Sequence, residues 1–291
     1  MLTIVPLYQG MAGYVRAAKA DPSADRGALW EQHVVDPYWT QWGAGQHNEA
    51  RVRAEISRPI DDLDGLEEAV NALSGSGVEE LVRDAYVRIC RLLPYHEGDT
   101  AICIAAADPR DRGLVADLNG VVGGCVGANT MLTIHPAGEG WQEWVPYVLA
   151  HERHHSAWGY HYYYLRGGTR RDLLISLISE GTADAFARQL CPDLHPRWLE
   201  ALSPEEEARQ WAAIQPLLDV PDLDGELYRR TFFGDAEAGV PAFAGYTVGY
   251  HIVQAYQSTH PGESVAEWTT RDPEAVLAES GYRPGQGTAR G

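Results

Sequence analysis

Positive charge is scarce in this chain. Lysine and arginine together number 23 of 291 residues against 41 aspartates and glutamates, a formal net charge of −18 at pH 7, and Lys19 is the single lysine. So thin a basic complement cannot neutralise a run of phosphates, so neither a nucleic acid nor an anionic membrane surface is expected as a partner. Cysteine is also sparse: Cys90, Cys103, Cys125 and Cys191 form no C-x-x-C pair, which argues against a zinc knuckle or disulfide scaffold and leaves buried free thiols. No apolar run reaches transmembrane length, and the opening MLTIVPLYQG has neither the charged start nor the apolar stretch of a secretory signal. A cytoplasmic protein is the expectation.

What the chain does have is material for a core, since 45% of it is hydrophobic. From Met11 to about Leu93 apolar residues recur at three- and four-residue spacings, with Ser74-Gly75-Ser76-Gly77 as a turn between two amphipathic helices. AICIAAA (101–107) and TMLTIH (130–135) read as short strands, and the glycine-rich stretch 119–127 between them as hairpin and bulge geometry. Its glycines are not spaced as G-x-G-x-x-G and no strand leads directly from them into a helix, so a dinucleotide cradle is not expected. Helical pattern returns from Trp144, with a capping box at Ser203-Pro204-Glu205-Glu206 and a further helix opened by Asp272-Pro273 and closed by Gly281. The expected organisation is a helical region 1–98, a core 99–190 with a small sheet, a helical region 191–283 closing a cleft, and a disordered tail 284–291, together one compact α+β unit.

The chemistry gathers in Val148-Leu-Ala-His-Glu-Arg-His-His155, which contains H-E-x-x-H as His151, Glu152 and His155. Residues four apart on a helix lie about 40° from one another, so both imidazoles can reach one tetrahedral metal ion while Glu152 can hold a metal-activated water. With 11 histidines in the chain such a match is seldom accidental. The next helix, 173–187, carries Glu180-x-x-x-Asp184 in an otherwise apolar run. Glu180 would complete a His/His/Glu ligand set, and Asp184, one turn on, could orient a ligand histidine. A metal would also offset the cost of burying these carboxylates. His154, about 100° from the ligand face, reads as structural.

H-E-x-x-H followed on a second helix by E-x-x-x-D resembles the gluzincin branch of zinc metallopeptidases, the thermolysin-like group. HERHH, SEGTADAFA and GYTVGYHIVQAY further resemble a bacterial family labelled only as predicted zinc-dependent proteases, over most of the chain. The resemblance implies a zincin-like fold, one Zn²⁺ on His151, His155 and Glu180, general-base work by Glu152, and a contact from Asp184 to His151. A Y-x-x-G element resembling that of gluzincin aminopeptidases points to Tyr246 as oxyanion donor, with Tyr250 and His251 as competitors. Two departures stand out: Arg153 and His154 occupy positions usually uncharged, which implies a partly solvated or ion-paired helix back, and Glu180 follows His155 by 25 residues, which implies a longer connection than in thermolysin.

The reading is therefore zinc-dependent hydrolysis of peptide bonds, with the strand near 123–129 as the track for a peptide or protein substrate. A non-catalytic zinc-binding module and a zinc hydrolase of a non-peptide amide or ester share the same residues. Arg166, Arg170 and Arg171 are candidates for anchoring a substrate terminus, against the simpler reading of surface arginines. Oligomeric state and cleavage preference are left open by the sequence.

Overall fold

The computed structural model describes residues 1–39, 53–54, 56–93 and 98–284. It is an α+β fold, mostly helical with a small mixed sheet. The backbone groups into two compact units, Met1–Ser156 and Ala157–Gly291. The tail expected to be disordered lies, apart from Pro284, outside the described residues. No described helix is long and apolar enough to cross a membrane.

The first unit opens with β1 (Leu2–Val5), which helical periodicity does not reveal, followed by α1 (Leu7–Ala20). Residues 26–38 are helical, with a π-helical stretch at Glu31–Val35. α2 (Leu63–Ser74) and α3 (Val78–Leu92) flank the expected turn, where Gly77 takes a left-handed φ of 72°. β2 (Thr100–Ala106), α4 (Arg112–Leu118), β3 (Val121–Val126), β4 (Asn129–Ile134) and α5 (Trp141–Gly159) complete it.

The described strands form one sheet in the order β1-β2-β4-β3. β1 and β4 flank β2 in parallel, with Ile4 opposite Ile102 and Ile104 opposite Leu132. β2 is buried at every position, which explains why its sequence is a continuous apolar run rather than an alternating one. β3 returns antiparallel to β4 and forms a sheet edge, with Gly123 opposite Leu132. The glycine-rich stretch is thus the hairpin the sequence suggests, and Gly127, at φ 55°, makes its two-residue turn possible.

α1 presents Leu7, Met11, Tyr14, Val15 and Ala18 to the interior and packs on β2 and α2. Tyr14 donates its hydroxyl to the Ile60 carbonyl at 3.0 Å and meets the ring of Trp30 edge-on at 4.9 Å. α2 and α3 bury the matching stripes Leu66, Val70, Leu73 and Val78, Val82, Ile89.

The second unit begins at Ala157 in the last turn of α5, continues through a π-helical turn (Tyr160–Leu165) and is built around α6 (Leu173–Leu190). Asp172 caps α6 by accepting from the Ile175 amide at 3.1 Å. α7 (Pro204–Ile214) carries the expected capping box, with both of its hydrogen bonds formed. α8 (Glu226–Phe233), α9 (Ala244–Thr259), α10 (Val265–Thr269) and α11 (Pro273–Ser280) follow, the last capped by Asp172's counterpart Asp272 and ended by Gly281 in the left-handed region.

α6 and α9 touch backbone to backbone. A Cβ built on Gly181 would lie 2.2 Å from the Gly249 carbonyl oxygen, and one on Gly249 would lie 2.4 Å from that of Leu177. Neither helix can retreat without opening the unit's core, so Gly181→Ala is expected to destabilise by about 1–3 kcal/mol. Thermal denaturation should show a drop of several degrees, whereas Gly262→Ala, with nothing within 4 Å, should melt like wild type. An unshifted midpoint for Gly181→Ala would contradict this packing.

Candidate metal centre

α5 sets His151 and His155 one turn apart, as the four-residue spacing requires. Their rings meet edge-on with centroids 4.6 Å apart, and the two Nε2 atoms approach to 2.9 Å. Two imidazole nitrogens aimed at each other suit either a shared proton or a shared cation.

Glu152 projects toward the sheet edge and is 8% exposed. A Cβ on Gly123 of β3 would lie 2.5 Å from Glu152 Cγ and 2.8 Å from Val148 Cγ1, so the strand runs this close to the helix because Gly123 has no side chain. Two residues along the same strand face, the Cys125 thiol shares hydrogen bonds with Ser156 and Glu152. Burial pushes this thiol well above its ordinary range, and the neighbouring Glu152 carboxylate adds to the effect. The sequence suggests only that Cys125 is a buried thiol; nothing in its spacing points to Glu152.

Arg153 and His154 are not left to solvent. Arg153 is 3% exposed, donates Nη1 to the Ala128 carbonyl at 2.6 Å and places its guanidinium 5.6 Å from the centre of the Tyr86 ring. This clamps the β3–β4 turn to α5. His154 is fully buried, and burial first, then the neighbouring His155 and His151, holds its pKa well below the usual histidine value. It is a neutral packing residue.

On α6, Glu180 and Asp184 are both buried. Glu180 Oε1 accepts from the Tyr228 hydroxyl at 3.0 Å, and Asp184 Oδ1 accepts from Trp198 Nε1 at 3.2 Å. The phenol of Tyr246, on α9, is raised well above its ordinary pKa by burial and then by Glu180, and it shares a hydrogen bond with Tyr228. Tyr250, one turn later, is raised by burial; it shares a hydrogen bond with Arg188, accepts from Gln254 at 2.5 Å, and has Asp184 as a neighbour. Thus Tyr246 pairs with Glu180 and Tyr250 with Asp184, row by row along the two helices. His251 turns elsewhere: its Nδ1 lies 2.7 Å from Glu207 Oε1, which also accepts from Tyr282. Arg170 is engaged by Asp172, Asp219 and Glu274, and Arg166 by the Thr270 carbonyl and Asp272.

One ligand atom from each of His151, His155 and Glu180 lies within 4.8 Å of the other two, a group that could hold a metal ion. Two imidazole nitrogens and one carboxylate oxygen make a set that fits zinc, and three protein ligands rather than four is the number found in catalytic sites. Tyr228 is the residue sequence reasoning misses. A lone tyrosine in ELYRRTFF carries no spacing signal toward Glu180, 48 positions earlier.

A family described as "Predicted Zn-dependent protease (DUF2268)" matches residues 78–278. The chain is also 31% identical over 147 residues to the uncharacterized protein YjfC of Bacillus subtilis (strain 168), a match covering 47% of each chain. The chain therefore spans about half the length of that curated relative. No solved structure matches it. Residues 78–278 contain the H-E-x-x-H turn of α5, Glu180 of α6 and Tyr246 of α9, and by that match the chain belongs to the family of predicted zinc-dependent proteases.

Proposed function

We propose that this protein hydrolyses peptide bonds with one zinc ion held by His151, His155 and Glu180. The observation that carries the reading is the convergence of these three ligand atoms within 4.8 Å, on the residues of an H-E-x-x-H motif and a downstream glutamate. Zinc at such a set supplies a Lewis acid that makes water nucleophilic near neutral pH and polarises a carbonyl. Glu152, next to the first ligand, takes the proton of the attacking water and delivers it to the leaving amine. Tyr246 donates its hydroxyl to the developing oxyanion, and Asp184 orients His151.

The substrate track is β3. Among the described strands it is a sheet edge, to which an extended peptide could add a strand, and Gly123 brings it over Glu152. Val122 and Val126, each 38% exposed, face away from Glu152 and offer apolar contacts to alternate residues of an extended peptide. In this reading the edge strand β3, the helix α5 and the glutamate helix α6 are the parts of a zincin-like fold.

Metal content separates the ligands from the base. Purified wild type is expected to hold about one zinc per chain by plasma mass spectrometry, with His155→Ala and Glu180→Ala losing most of it. Zinc retained in full by Glu180→Ala would overturn the ligand set. Glu152→Gln is expected to keep its zinc while turnover of a peptide library falls at least about a hundredfold. Undiminished turnover in that variant would remove Glu152 from the mechanism. Zinc bound without cleavage of any peptide by wild type would favour a binding module or a non-peptide hydrolase.

A further inference from the structure

Tyr228 is fixed before it reaches Glu180. The amides of Leu227 and Tyr228 both donate to the Asp222 carboxylate, at 3.0 and 2.7 Å, and so pin the first turn of α8. Its ring stacks on Phe232 with centroids 4.5 Å apart, while Phe233 meets it edge-on at 5.9 Å. Phe232 is fully buried and lies against Gly245, where a Cβ would stand 2.8 Å from the ring. The same Phe232 ring meets Tyr246 edge-on at 4.9 Å. Backbone, stacking partner and glycine together leave the phenol little freedom.

The terminal torsion of a glutamate is broad, so a donor at one oxygen narrows the orientations that the carboxylate can present to a cation. A phenol has one proton to give, and at 3.0 Å that of Tyr228 goes to Glu180 Oε1. In the hydrogen bond between the two phenols Tyr228 is then the acceptor and Tyr246 the donor. The resulting chain runs Tyr246 to Tyr228 to Glu180, and in the proposed reaction the Tyr246 proton leaves Tyr228 for the oxyanion.

We infer that Tyr228 is a positioning residue of the metal centre: by donating to Oε1 it holds the Glu180 carboxylate in one orientation toward the metal ion. The inference rests on the reading of Glu180 as a ligand. Nothing in the motif requires it, because H-E-x-x-H and the downstream glutamate say nothing of how the carboxylate is oriented. Outer partners of metal ligands typically alter affinity by tenfold to a hundredfold when removed.

The test uses the 291-residue chain as wild type, Tyr228→Phe, Glu180→Ala and the double variant, with zinc affinity measured by chelator competition and the visible spectrum recorded on the cobalt-loaded forms. Phe keeps the ring that stacks on Phe232, so the Tyr228→Phe protein should still fold, with the lower melting midpoint expected when a buried carboxylate loses a donor. The expected result is zinc binding weakened about tenfold to a hundredfold in Tyr228→Phe, an altered cobalt spectrum, and no further weakening by Tyr228→Phe in the Glu180→Ala background. If Glu180→Ala loses affinity while Tyr228→Phe binds zinc and absorbs like wild type, this inference fails and the ligand assignment stands. Equal weakening by Tyr228→Phe with and without Glu180 also defeats it, since the phenol would then act through something else. Unchanged affinity in Glu180→Ala defeats both readings.

Discussion

An ionisable group taken out of water must be met by an opposite charge or by hydrogen bonds, and this constraint organises the buried charges of each unit. Glu180 and Asp184 sit in an apolar helix and are answered by Tyr228 and Trp198. Arg153 is answered by a backbone carbonyl and an aromatic face, and His154 by remaining neutral. The two imidazoles that point their Nε2 atoms at one another pose the same demand, and the proposed zinc ion, held together with Glu180, would satisfy it.

Glycine makes the necessary closeness possible in both units. Gly123 lets β3 run against Glu152, so that the proposed general base and the proposed peptide track are neighbours. Gly181 and Gly249 let α6 and α9 meet at their backbones, which brings the Glu180–Asp184 row of one helix beside the Tyr246–Tyr250 row of the other. These close approaches are geometric preconditions for chemistry that the side chains then carry.

Much of this was legible from residue order alone, and what was legible is what local rules govern. The four-residue interval placed His151 and His155 on one helix face, and Ser203, Asp272 and Gly281 marked helix ends because capping is a short-range hydrogen-bond problem. The hairpin at 121–134 followed from its glycines and flanking apolar runs. The rest depends on partners distant in sequence. β1 is four residues before a proline and becomes a strand only by pairing with β2, nearly a hundred positions on. The burial of Arg153 depends on the Ala128 carbonyl, and the contact of Tyr228 with Glu180 on the packing of α8. No periodicity announces such contacts, because each is settled by tertiary packing rather than by the chain around it.

The most direct measurement is diffraction from zinc-loaded crystals at the zinc absorption edge. A single strong anomalous peak per chain, about 2.0–2.2 Å from His151 Nε2, His155 Nε2 and one carboxylate oxygen of Glu180, is the predicted result. No peak at that position, or a peak from which Glu180 is absent, would contradict the account.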